Sequence, residues 1–138
     1  MTQRARMLEL MSRREKAALA GASRELAVIE ERRVAAESAL ERLELLLNER
    51  SHQLGAPVSV ASLRADTHLS GRIAQEAQRI RSSKDELTRL ADEQKVTLSR
   101  HDIKTRRYTD AAQDARRTSV EERDARAAAA MPSQGRSN

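Results

Sequence analysis

The chain has 138 residues with one Tyr and neither Phe nor Trp, so it lacks the aromatic mass around which a domain of this length ordinarily builds a rounded core. Apolar residues supply 38%, charged residues 34%, and the formal net charge is +5; this mixture of helix formers fits long, thinly covered helices rather than a conventional globule. The absence of Cys excludes disulfides, thiolate metal sites and Cys nucleophiles, and with no stretch near the roughly 20 apolar residues of a bilayer span and no apolar leader block the expected location is the cytoplasm.

Gly and Pro concentrate at Gly55-Ala56-Pro57 and between Pro132 and Gly135, and long helix-compatible runs lie between these marks. In the first run Leu19, Ala22, Leu26, Ile29, Arg33, Ala36, Leu40, Leu43, Leu47, Arg50 and Leu54 recur in alternating steps of three and four, the a/d stripe of a coiled coil. A helix over about residues 3–54 is expected, roughly 75 Å long at 1.5 Å per residue. Gly21 interrupts it as a local weakness, costing up to about 1 kcal/mol relative to Ala. Leu45 and Leu46 broaden the apolar face, a pattern that suggests contact with more than one helix.

Pro57 forces the chain out of helix and biases Ala56 towards extended backbone. A turn over 55–62 is expected, with Ser59 or Ser62 as N-cap and Asp66 in the first turn of the next helix. The second helix is expected over about 63–127, as one piece through Ser82-Ser83. Its seam runs through Ile73, Ala77, Ile80, Lys84, Leu87, Ala91, Gln94, Leu98, His101, Thr105, Tyr108, Ala112 and Ala115. Lys84, Gln94, His101 and Thr105 are polar seam positions, which fix register at a cost in stability. The first 54 residues hold 10 Lys/Arg against 9 Asp/Glu and the remainder 16 against 12, so the second half is the electropositive one. Two stripes joined by a short loop define the expected fold: all-α, two long helices forming an antiparallel coiled-coil hairpin over residues 1–130, with a flexible tail over 131–138. A parallel dimer of extended chains is the rival.

The residues of catalysis are missing from the pattern. His52, His68 and His101 are far apart in sequence; no HExxH pair, phosphate-cradling glycine loop or nucleophile elbow occurs. Carboxylates sit beside Arg or Lys, as in Glu30-Glu31-Arg32-Arg33, the signature of a solvated ion-pair lattice. The expectation is a non-enzyme with no cofactor and no metal.

The layout resembles the FliJ family, the coiled-coil component of the bacterial flagellar type III export apparatus. The resemblance rests on size, on the first-helix stretch Leu40-Glu-Arg-Leu-Glu-Leu-Leu-Leu-Asn-Glu-Arg50, on the break at Gly55-Ala-Pro57 and on a longer basic second helix. It implies a stalk that enters the hexameric export ATPase ring, engages the export-gate membrane protein, handles export chaperones and couples ATP hydrolysis to export during flagellum assembly. The implied location is cytoplasmic, peripheral to the inner membrane at the export apparatus, and the implied free state is monomeric. For the gate contact the matching positions are Ile73, Ala77, Ile80 and Lys84, although packing on the first helix explains the same residues, and Arg72 or Ile73 stands where the family carries an aromatic. For the ring contact the basic candidates are Arg13, Arg14, Arg24, Arg106, Arg107, Arg116 and Arg117, with a solvated face as the alternative. Other readings are the stalk of a virulence type III secretion system, a generic coiled-coil scaffold, or a basic nucleic-acid-associated protein. No contiguous basic region runs into a zipper and no aromatic platform exists, so specific nucleic-acid binding is not expected.

Overall fold

The computed structural model of the chain describes residues 2–52 and 59–131. Two helices account for nearly all of them: α1, Gln3–His52, of 50 residues, and α2, Val60–Ala130, of 71 residues. They pack against each other as an all-α antiparallel hairpin, with no strand among the described residues. Both run unbroken, α1 through Gly21 and α2 through Ser82 and Ser83.

The helix starts are set by local chemistry. Thr2 caps α1, its hydroxyl accepting from the Ala5 amide (3.3 Å) while its carbonyl accepts from Arg6 (3.2 Å), which satisfies amides that have no partner inside the first turn. Arg50 and His52 lie in the last turn of α1, where cations complement the negative end of the helix dipole. Ser59 caps α2, its hydroxyl accepting from the Ser62 amide (3.2 Å) and its carbonyl from Leu63 (3.0 Å).

That cap changes the expected boundaries. The helix starts at Val60 rather than about 63 and extends to Ala130 rather than about 127; residues 60–62, expected in the turn, are helical. Asp66 consequently falls outside the first turn, which contains no acidic residue, and reaches Arg50 across the pair instead (3.4 Å). Leu54, the Gly55-Ala56-Pro57 break and the tail from Pro132 onwards lie outside the described residues.

Contacts divide the fold into two units, each a pairing of helical segments: Arg24–Val96, and Met1–Ser23 with Thr97–Asn138. In the Arg24–Val96 unit the covered positions are those of the three-four spacing. Leu40, Ala77 and Ala91 are buried, and Leu26, Ile29, Arg33, Ala36, Leu43, Leu47, Ile73, Ile80 and Leu87 are half-buried. The order of cross-helix partners shows the antiparallel sense: Glu30 meets Lys95, Glu44 meets Arg81 and Arg50 meets Asp66. In the other unit the seam begins earlier than the spacing of Leu residues indicates, with Ala5 and Ser12 buried on α1 opposite buried Thr105 and Ala112 on α2. Ser12 and Thr109 share a hydroxyl hydrogen bond of 2.8 Å.

Much of the seam is alanine. Ala77 and Ala91 are 1% and 2% exposed, so the helices approach closely there and leave no space for a larger side chain. Ala77→Leu should destabilise the hairpin by about 1–3 kcal/mol through overpacking, read as a lower urea midpoint by far-UV circular dichroism. Gly71→Ala tests the converse: nothing lies within 4 Å of the position its methyl would occupy, so the helix propensity gain of up to about 1 kcal/mol should raise the midpoint, and a lower midpoint would contradict the helix described here.

Candidate interaction surfaces

The polar seam residues acquire partners across the pair. In the Arg24–Val96 unit Lys84 reaches Glu37 (3.8 Å), and the Gln94 amide donates to Glu25 (3.1 Å). Arg33, at a core position of α1, lies along the interface held by Glu30 (2.7 Å) and Glu37 (3.5 Å) of its own helix. Those carboxylates, the Glu30 hydrogen bond first, raise the Arg33 pKa above its ordinary value. In the unit that pairs the chain's two ends, His101 Nδ1 lies 2.7 Å from Glu15, and the Thr105 hydroxyl donates to the His101 carbonyl (2.7 Å). Most of the polar groups named on the seam are thus matched, as partial burial demands, while the buried Arg50 Nε has no hydrogen-bond partner among the described residues.

The residues assigned to gate contact all sit on this seam. Ala77 is 1% exposed and offers no surface while the helices are paired; Ile73, Ile80 and Lys84 are half-covered. Their alignment on one face of α2 is the alignment that packing on α1 requires.

The basic candidates are exposed, as ring contact requires, but they are not equivalent. In the terminal unit Arg116 pairs with Glu9 and Arg106 with Asp102 (3.3 Å). Arg13, Arg14, Arg107 and Arg117 have no ion-pair partner among the described residues. A shallow groove of about 200 Å³ runs between Arg13 and Lys16 of α1 and Gln113 and Arg116 of α2. Arg24 belongs to the other unit and is likewise exposed and unpaired there. Sequence reading missed Glu9 and Asp102, since charge counting gives no hint of which carboxylate each arginine meets.

Along the outer face of α2, Arg89 bridges Glu86 and Glu93 of the same helix. The hydrogen bond from Arg89 holds the Glu86 carboxyl below its ordinary pKa, and the two carboxylates raise that of Arg89. Such i,i+3 and i,i+4 pairs add small increments to helix stability. Among the described residues no His, Asp or Glu side chains gather into a group able to hold a metal ion, and no helix is long and apolar enough to cross a membrane. Compared with protein-family models, curated proteins and solved structures, the chain matches none.

The Glu86 shift has a defined sign. Its folded-state pKa is depressed, so its stabilising contribution is present above the ordinary glutamate range and is lost as pH falls through the depressed value. In an NMR carboxyl titration Glu86 should titrate below the ordinary glutamate range, and in Arg89→Gln it should move back up towards that range. An unchanged Glu86 titration in that variant would show that Arg89 is not the cause.

Proposed function

We propose that this chain is a non-enzymatic stalk and adaptor of a bacterial flagellar type III export apparatus. It binds the hexameric export ATPase with its paired ends and the export-gate membrane protein through the early part of α2, at the inner membrane's cytoplasmic face. Handling of export chaperones belongs to the same reading. The observation that carries it is the pairing of Met1–Ser23 with Thr97–Asn138 as a unit that exposes Arg13, Arg14, Arg107 and Arg117 without ion-pair partners among the described residues. The FliJ-like layout of the sequence supplies the identity of the machine.

The chemistry of such a role is association rather than reaction. Exposed guanidinium groups on a narrow helical pair guide it towards an acidic surface and set the on-rate, while shape complementarity sets how long it stays. The gate contact takes a narrower form than the sequence implied: with Ala77 covered, Ile73, Ile80 and Lys84 meet a partner only at their half-exposed edges unless the helices part.

Arg107 and Arg117 give a cleaner test than Arg116, because no internal ion pair is lost with them. Wild-type protein should capture the hexameric export ATPase of the same cell in a pull-down at low salt. The Arg107→Glu, Arg117→Glu variant, shown to be folded by circular dichroism, should bind roughly tenfold or more weakly. Failure of the wild type to associate with assembled hexamer, or normal swimming of a deletion strain, would remove the export reading.

A further inference from the structure

The charges of α1 within the terminal unit are sorted by face. From Gln3 to Gly21 the helix carries Arg4, Arg6, Arg13, Arg14 and Lys16 against Glu9 and Glu15. Both carboxylates are half-buried and engaged across the pair, Glu9 with Arg116 and Glu15 with His101 (2.7 Å). The acids are thus committed to holding the hairpin, and the side of α1 turned away from α2 carries positive charge only.

Apolar residues of the same segment also occupy both faces. Ala5 and Ser12 are buried against α2, with Leu8 and Leu19 half-covered beside them, but Met7 and Leu10 are 59% and 64% exposed and Met11 is 37% exposed. At about 3.6 residues per turn Leu10 lies opposite the buried row, with Met7 and Ala17 on either side of it and Met11 and Ala18 beyond Met7. Arg14 sits within this stripe, and Arg6 and Arg13 form its margin on the Ala17 side. All three are exposed and have no ion-pair partner among the described residues. On the other margin Arg4 shares a groove with Asp114 and Glu122 of α2, so the uncompensated charge is that of Arg6, Arg13 and Arg14.

An apolar stripe bordered by cations and free of acids is the pattern of a helix that lies in the surface of an anionic bilayer, its apolar side chains at the acyl boundary and its guanidinium groups among the headgroups. The face suits a fluid surface better than a folded partner. Protein anchors fill pockets, whereas the grooves that border α1 in this unit lie on its flanks, lined from both helices, and the outer face is a convex ridge. Met and Arg side chains are long and flexible, able to follow a lipid surface at the depth it allows. A second copy offers no match: face to face it brings arginine against arginine, and the outer side of α2, where Asp110 and Glu121 lie, also carries Arg107 and Arg117.

We propose that the outer face of α1 between Arg6 and Ala17 docks on an anionic lipid surface, with Met7, Leu10 and Met11 entering the interface and Arg6, Arg13 and Arg14 meeting phosphate-bearing headgroups. The contact is with the surface of the bilayer, as no helix among the described residues is long and apolar enough to cross one. Electrostatic attraction draws the face in, and the apolar stripe fixes which side of the hairpin touches lipid. The proposal does not rest on the export reading, which reaches a membrane through a protein contact.

The test is flotation of the full-length chain with vesicles of phosphatidylcholine, with or without phosphatidylglycerol. Wild type should float with the anionic vesicles and not with the neutral ones, and less as salt rises. Arg6→Gln with Arg13→Gln should weaken binding roughly tenfold or more, whereas Arg107→Gln with Arg117→Gln, which removes the same charge from the outer side of α2, should leave it nearly unchanged. Met7→Gln with Leu10→Gln, both at exposed positions, should remove binding while far-UV circular dichroism stays that of the folded hairpin. Because the chain has no Trp, Leu10→Trp supplies a single reporter whose emission should shift to the blue on anionic vesicles; Ile103→Trp, on the outer side of α2, should not shift. Absence of flotation, equal flotation with neutral vesicles, equal losses from the two arginine pairs, or an unshifted Leu10→Trp would each overturn the proposal. So would a concentration-dependent dimer in sedimentation that Met7→Gln with Leu10→Gln dissolves, which assigns the stripe to a second copy. Failure of ring capture leaves these outcomes untouched, since no ATPase is present in the flotation.

Discussion

Holding two highly charged helices side by side along a seam with few large apolar residues is the constraint from which the other features of this chain follow. A fully buried leucine or valine contributes about 1.5–3 kcal/mol, whereas an alanine contributes a fraction of that and stabilises chiefly by allowing close approach. Here the most deeply covered positions are Ala5, Ala77 and Ala91. The pairing must therefore be summed over many turns, and this explains why α1 runs to 50 residues and α2 to 71. Shorter helices with the same seam composition would not repay the ordering of their backbones.

A seam of small residues is also permissive about register, because one alanine layer resembles the next. Specificity has to come from elsewhere, and polar groups provide it. Within the Arg24–Val96 unit the Glu30–Lys95, Glu37–Lys84 and Glu44–Arg81 pairs reinforce a core that already contains Leu40, Ile80 and Leu87. In the terminal unit polar pairs sit among the buried alanines Ala5, Ala22 and Ala112: Ser12 meets Thr109, and Glu15 meets His101. A slipped pairing there leaves a half-buried carboxylate or hydroxyl without its partner, which costs more than the pair contributes when satisfied. The two units thus reach a defined alignment by different balances of apolar burial and polar matching.

How much of this was legible in the residues alone depends on which kind of force operates. From Leu19 to Arg50, and again from Ile73 to Ala115, the three-four spacing picks out the covered face, because apolar side chains repeat there and a single period explains them. The seam between Ala5 and Glu15 was not legible: Ser12 and Glu15 read as surface residues until Thr109 and His101 stand opposite. The start of α2 was ambiguous for a local reason, since Ser59 and Ser62 are equally good caps in sequence and only the observed hydrogen bonds choose Ser59. That shift carries Asp66 from an expected dipole interaction to a cross-helix one with Arg50. Among the candidate contact residues, spacing correctly groups Ile73, Ala77, Ile80 and Lys84 on one face, yet it carries no information about whether that face looks at α1 or at a partner. Nor does charge counting reveal that Glu9 and Asp102 engage Arg116 and Arg106 while Arg107 and Arg117 have no ion-pair partner among the described residues.

Which surfaces remain available for partners follows from the same economy of apolar residues. Where the helices meet, side chains are committed to holding the pair, so a contact mapped onto the seam competes with folding. A substitution there loses binding and stability together. Surfaces off the seam are free of that conflict, and the chain spends its remaining large apolar groups on them: Leu45 and Leu46 are 61% and 45% exposed and Leu69 is 45% exposed, in a molecule that has few such residues to spare. Ion pairing already closes the flank of Glu30, Glu37 and Glu44, and a helix added there would have to strip those charges of water and of each other. Leu46 and Leu69 lie off that flank, so covering them displaces water over apolar surface rather than charges already paired across the helices.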